Sequence, residues 1–501
     1  MIRRRLFLVS SVTAAAALTF ASGAQATVAS WFGFEGGSQL INCALGECFR
    51  PPDTMGAVGT SQFVETANGY IRVYDKMTGS VLSSLNMANF WTLAGLPGGG
   101  RGDQRVLFDQ YPNRWLMTGF GSTGNKINIG ISDTANAAGP WKSTQIVGAS
   151  IGIAGTLDYP TLGMDNKGVY IGTNNFNPGY TGSSLFVIPK TSLTAAAPST
   201  TDMSFFTSVA RGNTPQVAVN WQGNPTNTAS LMGDSNTGDN QVFYQITGVN
   251  GPGAVRTPLV EIPGSGYTPA GSGRQPDGSR IVDTLSPRIT GNVAQVNGRL
   301  YSAITVDDGS DHAAVRWSVN DATTGAVLQT GLISGGGFDY YEGSIAVNEF
   351  GQAVIGFNRS GLQTTDGNGD GLADGNISFM ARAFNPMLGG GLVQSGADVL
   401  LRVSAVSDYH CSTRSSPAAC TNRWGDYSAV SLNPTNHQTF YAIGEYTSGW
   451  GTLPAPFSVE RAIWNTYVAA ITLAPVPEPE TWALMLAGLV GIGSLARRRR
   501  A

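Results

Sequence analysis

The sequence predicts an all-β fold: a seven-bladed β-propeller of four-stranded antiparallel blades. Three observations lead there. One type of strand-opening segment recurs from end to end of the body. Charged residues are only 13% of the chain while glycine fills 66 of 501 positions, a composition that suits sheets and turns better than helices. Almost no segment keeps an uninterrupted helical period over ten residues, whereas short alternating runs bounded by turn residues are common.

The unit is clearest between residues 105 and 147. Arg105–Asp109 reads as a short strand and Gln110-Tyr111-Pro112-Asn113 as a turn. Arg114–Phe120 reads as a second strand, Lys126–Ser132 as a third, and Trp141–Val147, after a loop, as a fourth. Four antiparallel strands on short turns make one propeller blade. Its opening strand recurs at Met55–Val58, Pro160–Met164, Pro215–Val219, Pro287–Ile289, Gly343–Val347 and Asp426–Val430. Seven openings at about 62 residues per unit fit the longer blade repeats with insertions. Second strands follow at 168–172, 298–302, 351–356 and 438–442. Six or eight blades stay open, because a long Gly/Pro-rich connection at 248–280 precedes the fifth opening. Closing the ring calls for a strand borrowed from one terminus, either around Val28-Ala29-Ser30-Trp31 or around Tyr467–Thr472. Two consecutive β-sandwiches are the structural competitor, but they do not explain one motif recurring across the whole body. Trp91, Trp115, Trp141 and Trp317 are expected between blades, where large rings bury much apolar area.

The ends carry address signals rather than fold. Arg3-Arg4-Arg5, an apolar core from Leu6 to Phe20 and Ala24-Gln25-Ala26 read as a signal peptide over residues 1–26. Arg4-Arg5-Leu6-Phe7-Leu8 is also similar to a twin-arginine signal, although Arg3 and Val9 stand where Ser/Thr and Lys are usual. At the other end Val476-Pro477-Glu478-Pro479-Glu480 precedes an apolar stretch from Trp482 to Ala496 and Arg497–Arg500. The stretch is shorter than the roughly 20 residues of a comfortable membrane span, and the arginines favour a cytoplasmic end. Residues 475–501 closely resemble the PEP-CTERM sorting tail of Gram-negative bacteria, with Pro477, Glu478 and Pro479 as the signal. That resemblance implies recognition by an exosortase, passing anchorage in the inner membrane by a short apolar helix, and delivery to the envelope, outer surface or extracellular matrix. The propeller then occupies 27–474.

Setting aside seven arginines and two glutamates in these end segments reduces 30 basic and 33 acidic residues to 23 and 31, a net charge of −8. This argues against nucleic acid and anionic lipid as partners. Four cysteines form two local pairs, Cys43 with Cys48 and Cys411 with Cys420. In an exported chain they are expected as two short-loop disulfides. With only three histidines, a histidine-rich zinc site is not expected.

Two constellations bear on chemistry. Asp366-Gly367-Asn368-Gly369-Asp370-Gly371-Leu372-Ala373-Asp374 places oxygen donors at positions one, three, five and nine with Gly at six, the calcium-loop pattern. Ile377 replaces the bidentate acid at position twelve, and no flanking helices are evident. The expectation is a single structural Ca²⁺ held by Asp366, Asn368, Asp370 and Asp374, in an insertion over 366–377 of blade 6. The alternative is a solvated Asp/Gly turn. The second constellation is a set of charges placed before or within opening strands: Asp53, Arg105, Asp158, Arg288, Glu342 and Asp426. They are expected at the mouth of the central channel, either pairing with each other to close the ring or facing a ligand. Arg423-Trp424-Gly425-Asp426-Tyr427-Ser428, with Ala314–Trp317 and Gly343–Val347, also resembles a loose group of exported bacterial propellers of unassigned activity.

We assign no catalytic residue from the sequence. The expected role is a non-catalytic binding or structural propeller, with an extracellular glycan or protein as partner. The competing reading is a propeller hydrolase or lyase acting on extracellular polysaccharide. Ser132-Asp133-Thr134 with Gly139 and Trp141 is similar to the sialidase Asp-box but carries an insertion. Tyr340-Tyr341-Glu342 is the candidate tyrosine–acid pair for that chemistry.

Overall fold

The computed structural model describes residues 28–209, 213–235, 238–387, 389–409 and 422–475. The expected signal peptide, the sorting tail with its apolar helix, and the Cys411–Cys420 pair lie outside them.

Seven blades surround one axis. Blade 1 is Met55–Val58, Gln62–Ala67, Tyr70–Asp75 and Val81–Asn86. Blade 2 has the strands read from the sequence, Arg105–Asp109, Arg114–Phe120, Lys126–Ser132 and Trp141–Val147. In blade 3 the inner strand is broken, and both Thr156–Asp158 and Gly163–Met164 pair with Gly168–Phe176. Tyr180–Pro189 and Ser204–Val209 complete that blade. Blade 4 runs Asn213–Val217, Thr228–Asp234 and Gln241–Thr247, with its outer edge split into Val255–Arg256 and Val260–Glu261. Blades 5 and 6 are regular: Ala294–Val296, Arg299–Asp307, Ala313–Asp321 and Val327–Ile333, then Phe338–Val347, Ala353–Gly361, Ser378–Pro386 and Leu392–Val403.

Blade 7 takes Ala429–Leu432, Thr439–Thr452 and Glu460–Leu473 from the end of the body and Val28–Ser38 from its start. Trp31 pairs with Ile471 and Phe34 with Val468. Of the two expected donors, the N-terminal segment is the borrowed strand. Residues 467–472 belong to the third strand of their own blade.

One expectation needs correction. Pro287–Ile289 is not a strand; the inner strand of blade 5 is Ala294–Val296. Proline at 287 has no N–H to give a ladder, and Leu285 ahead of it takes a left-handed backbone, φ 48°. The connection before it, read as Gly/Pro-rich loop, carries a small hairpin, Gly273–Arg274 with Arg280–Val282.

Packing explains why the pattern was readable. Third strands such as Lys126–Ser132 are buried along nearly their whole length, because a neighbouring blade covers each face. Outer strands alternate, as in Val327–Ile333, where buried or half-buried positions interleave with exposed ones. The core is accordingly divided into seven layers, one at each blade junction. Trp91, Trp115 and Trp141 fill the layer between blades 1 and 2, and Trp317 the one between blades 5 and 6. Phe63, Tyr74, Tyr441 and Val468 form the layer between blades 7 and 1, so the ring is sealed by the same kind of contact as its other junctions. The Cys43–Cys48 disulfide is formed and packs against Leu453 and Ile463 of blade 7.

Candidate functional site at the axial mouth

A backbone device repeats at the entrance to the channel. In six blades a non-glycine residue with a left-handed backbone stands just before the channel wall: Asp53, Asp103, Tyr159, Thr214, Leu285 and Glu342, with φ from 48° to 58°. Such a conformation costs about 1 kcal/mol or more per residue and persists only where its surroundings hold it. In three of the six the hold is a latch from the preceding blade, whereas the Leu285 N–H donates to Asp283 Oδ1 (3.0 Å) in its own loop. The N–H of Asp103 donates to Asn68 Oδ1 (2.9 Å), that of Thr214 to Asn174 Oδ1 (2.7 Å) and that of Glu342 to Thr305 Oγ1 (3.0 Å). The kink turns the chain from the blade top into the channel.

Arg105 and two tyrosines close the axis. Arg105, fully buried at the head of blade 2, donates Nη1 to the carbonyls of Thr290 (3.1 Å) and Gly291 (3.4 Å) in blade 5. Its guanidinium carbon lies 4.0 Å from the ring centre of Tyr427 and 5.5 Å from that of Tyr159. The two rings meet edge to face at 4.8 Å. Tyr427 donates its hydroxyl to Asp103 Oδ2 (2.8 Å), and Tyr159 donates to the Asp426 carbonyl (2.8 Å). Blades 2, 3, 5 and 7 are thus tied together through the axis.

Carboxyl groups gather around this plug. Asp53 Oδ1 accepts the Asp426 N–H (2.8 Å) and its Oδ2 accepts Asn68 Nδ2 (2.6 Å). Arg423 pairs with Asp426 and reaches Asp283 at 3.6 Å. Arg288 lies 5.5 Å from the Tyr159 ring and its charge acts on Asp158. Glu342 Oε2 accepts from Asn358 Nδ2 (3.0 Å), and Glu445 Oε1 accepts the Thr54 N–H (3.3 Å). The other oxygen of each glutamate is buried without a hydrogen bond.

Desolvation dominates the electrostatics. Burial, then the charges of Asp426 and Asp158, push Asp103 up to about 7. Burial and the neighbouring Asp426 and Asp103 hold Asp53 well above the usual carboxyl range, and Asp158 is raised mainly by burial. Glu342 and Glu445 are raised by burial first, then by nearby carboxylates. Acids outnumber guanidinium groups here, and Asp103 is the carboxyl that titrates close to neutrality.

Asp53, Arg105, Asp158, Arg288 and Asp426 therefore lie together at the mouth, and Glu342 joins through its interaction with Asp426. Sequence reasoning passed over Asp103, Tyr159 and Glu445. The signal for Asp103 was available: it precedes Arg105 by two residues, as Asp53 precedes Met55. Tyr340 and Tyr341 are buried in blade 6, with hydroxyls on the Gly335 carbonyl (3.2 Å) and Ser360 Oγ (3.2 Å).

The far end of the channel is apolar. Inner strands from blades 1 to 7, including Val58, Met164, Ala294 and Val430, line a pocket of about 80 Å³ rimmed by Trp221 and His437.

The loop carrying Asp366, Asn368, Asp370 and Asp374 joins the second and third strands of blade 6. Its carboxylates are turned onto its own amides: Asp366 accepts from Gly369 (2.7 Å), Asp370 (3.0 Å) and Gly371 (2.8 Å), and Asp374 from Gly367 (2.9 Å). Among the described residues no three His, Cys, Asp or Glu side chains come together as a metal shell. No helix of the described residues is long and apolar enough to cross a membrane.

Residues 475–500 match the PEP-CTERM protein-sorting motif. No curated protein matches the chain. Several solved structures are similar to the chain at low identity and low TM-score. The subtype N10 neuraminidase-like protein of A/little yellow-shouldered bat/Guatemala is 10% identical, over 67% of this chain and 95% of that one, with a TM-score of 0.37. The β-propeller domain of the Trilobed protease from Pyrococcus furiosus is 11% identical, over 69% and 84%, at 0.33. Quinohemoprotein alcohol dehydrogenase from Comamonas testosteroni is 9% identical, over 85% and 76%, at 0.39. These similarities carry no argument about activity.

Proposed function

We propose that this chain is a non-catalytic binding propeller of the cell envelope or extracellular matrix, with an extracellular glycan as its partner. Its sorting motif implies exosortase processing and export to the envelope or surface. The observation that supports a non-catalytic role is the plug. Arg105, Tyr159 and Tyr427 are each at most 2% exposed and bound across the axis, so the charges at the mouth serve ring closure. Reacting groups, by contrast, must reach a substrate. One feature favours a hydrolase instead: two carboxyl groups, Asp103 and Asp426, lie close together at the mouth, and burial first, then the Asp426 charge, pushes Asp103 up to about 7, as a general acid requires.

A glycan array with and without chelator, run beside a reducing-end assay on bacterial exopolysaccharides, separates the two. Binding without release of reducing ends is expected. Steady release that disappears in both Asp103→Asn and Asp426→Asn overturns the binding reading. A structural Ca²⁺ on Asp366, Asn368, Asp370 and Asp374 belongs to the same proposal, supported by the one-three-five-nine oxygen spacing. The ion would take over carboxylates now held by loop amides. Added Ca²⁺ should then raise the melting temperature of the wild type and not of Asp366→Ala.

A further inference from the structure

Beside the plug, on the same face, a cleft opens between blades 1 and 2 with a volume of about 580 Å³. Pockets of this size hold small organic ligands. One wall is the segment Gly98-Gly99-Gly100-Arg101-Gly102-Asp103, and the other is Phe120-Gly121-Ser122-Thr123-Gly124. The walls touch backbone to backbone: a Cβ on Gly100 would lie 2.2 Å from the Gly121 carbonyl oxygen and 2.3 Å from that of Phe120. Blade 1 holds the first wall in place, since the Gly69 N–H donates to the Arg101 carbonyl (2.6 Å) and Asp103 is latched to Asn68 (2.9 Å). The Phe120 N–H donates to the Gly102 carbonyl (3.0 Å) and joins the two walls.

The lining indicates what fits. Phe49 and Phe120 are half-buried and offer apolar ring surface. Between them lie exposed main chain and the hydroxyls of Ser122 and Thr123. The one cation, Arg101, is engaged by Glu47 at 3.2 Å, and Asp103 lies at the axial end. No uncompensated positive charge awaits an anion. Ring faces beside a field of neutral donors and acceptors match the alternating apolar and hydroxyl surfaces of a pyranose.

We infer that this cleft is a saccharide subsite, built for an uncharged sugar unit of a polysaccharide and not for a uronate or a phosphate. The inference rests on the glycan-binding reading above and gives that reading a place and a ligand class. The sugar lies against Phe49 and Phe120, with its hydroxyls on the two loops.

The test uses the exported protein with maltohexaose and cellohexaose as neutral probes and an alginate hexasaccharide as the anionic one. Calorimetry measures affinity, and hydrogen exchange reads amides 98–103 and 121–124. At least one neutral probe should bind, slow exchange in both loops, and weaken about tenfold in Phe120→Ala and in Thr123→Trp, the loss of one aromatic contact or of the space beside it. Leu328→Ala, on the outer edge of blade 5, should bind as wild type, and a single cooperative melting transition shows that each variant folds. Neutral-sugar binding with both loops unprotected and both cleft variants unaffected overturns the subsite and leaves the glycan reading standing. Preference for alginate overturns the ligand class. No binding to any probe overturns both.

Discussion

At the scale of single residues, Arg105 is the group on which the mouth depends most. It bonds carbonyls in blade 5 while stacking on a ring from blade 7. Arg105→Ala removes the fully buried guanidinium of the plug and leaves Asp103 with less compensation. Breaking a buried charge arrangement of this kind costs about 3 kcal/mol. The denaturant midpoint should fall accordingly, with Arg105→Lys recovering less than half because an ammonium lacks the planar fork. Asp103 makes a prediction about pH. Its carboxyl ordinarily titrates near 3.8 and in the fold near 7, so between those values the folded state keeps a proton that the unfolded state has lost. Stability contributed at this site is full below about 4 and falls as pH rises towards 7. Asp53 and Asp158, also raised, push the same way. A melting-temperature profile should decline from pH 4 to 7, and Asp103→Asn should flatten that decline. A steeper decline in the variant would contradict the assignment. Much of this site was legible: Asp53, Arg105, Asp158, Arg288 and Asp426 announce themselves as charges beside repeated apolar openings. Tyr159 did not, because a tyrosine before a strand looks the same in sequence whether it packs between blades or crosses the axis. Glu445 lies in a second strand, and only the ring geometry brings its carboxyl to Thr54.

At the scale of elements, local alternation between well-spaced turns specified blade 2 to the residue, because its strands are short and its hairpins tight. The fifth opening was misplaced where a proline and a left-handed residue delay the strand until Ala294. Pairing between the two ends of the body was only half legible. An antiparallel partner can lie at any separation, so nothing local in Val28–Ser38 names Glu460–Leu473 as its mate. That pairing yields a direct expectation. Removing residues 28–36 strips the outer strand from blade 7 and bares the ladder edge of Glu460–Leu473. The truncated protein should melt well below the wild type and form aggregates visible by size-exclusion chromatography, since a long unpaired edge templates association. An unchanged melt would mean that the strand decorates the blade and does not close it.

At the scale of the whole molecule, repetition carried the fold. A single inner-strand motif, read seven times, fixes a wheel more firmly than any one of its strands, because each blade needs two neighbours to bury its faces. Function was less legible, because the mouth uses its charges on itself. The sorting motif makes the remaining prediction. Replacing Pro477, Glu478 and Pro479 together with alanine should block processing, leaving a heavier, membrane-associated form on immunoblots in place of the sorted one. Normal processing of that variant would show that sorting does not depend on these three residues. The order of the strands has a further consequence for assembly. In a chain that threads outward from its amino end, Val28–Ser38 emerges roughly 430 residues ahead of the strand it must meet. It waits idle while six blades are built, and a contact so distant in sequence forms slowly. During that wait the free strand of one copy can clasp the unfinished final blade of another. Strand-swapped chains are therefore the expected by-product when copies crowd at the exit.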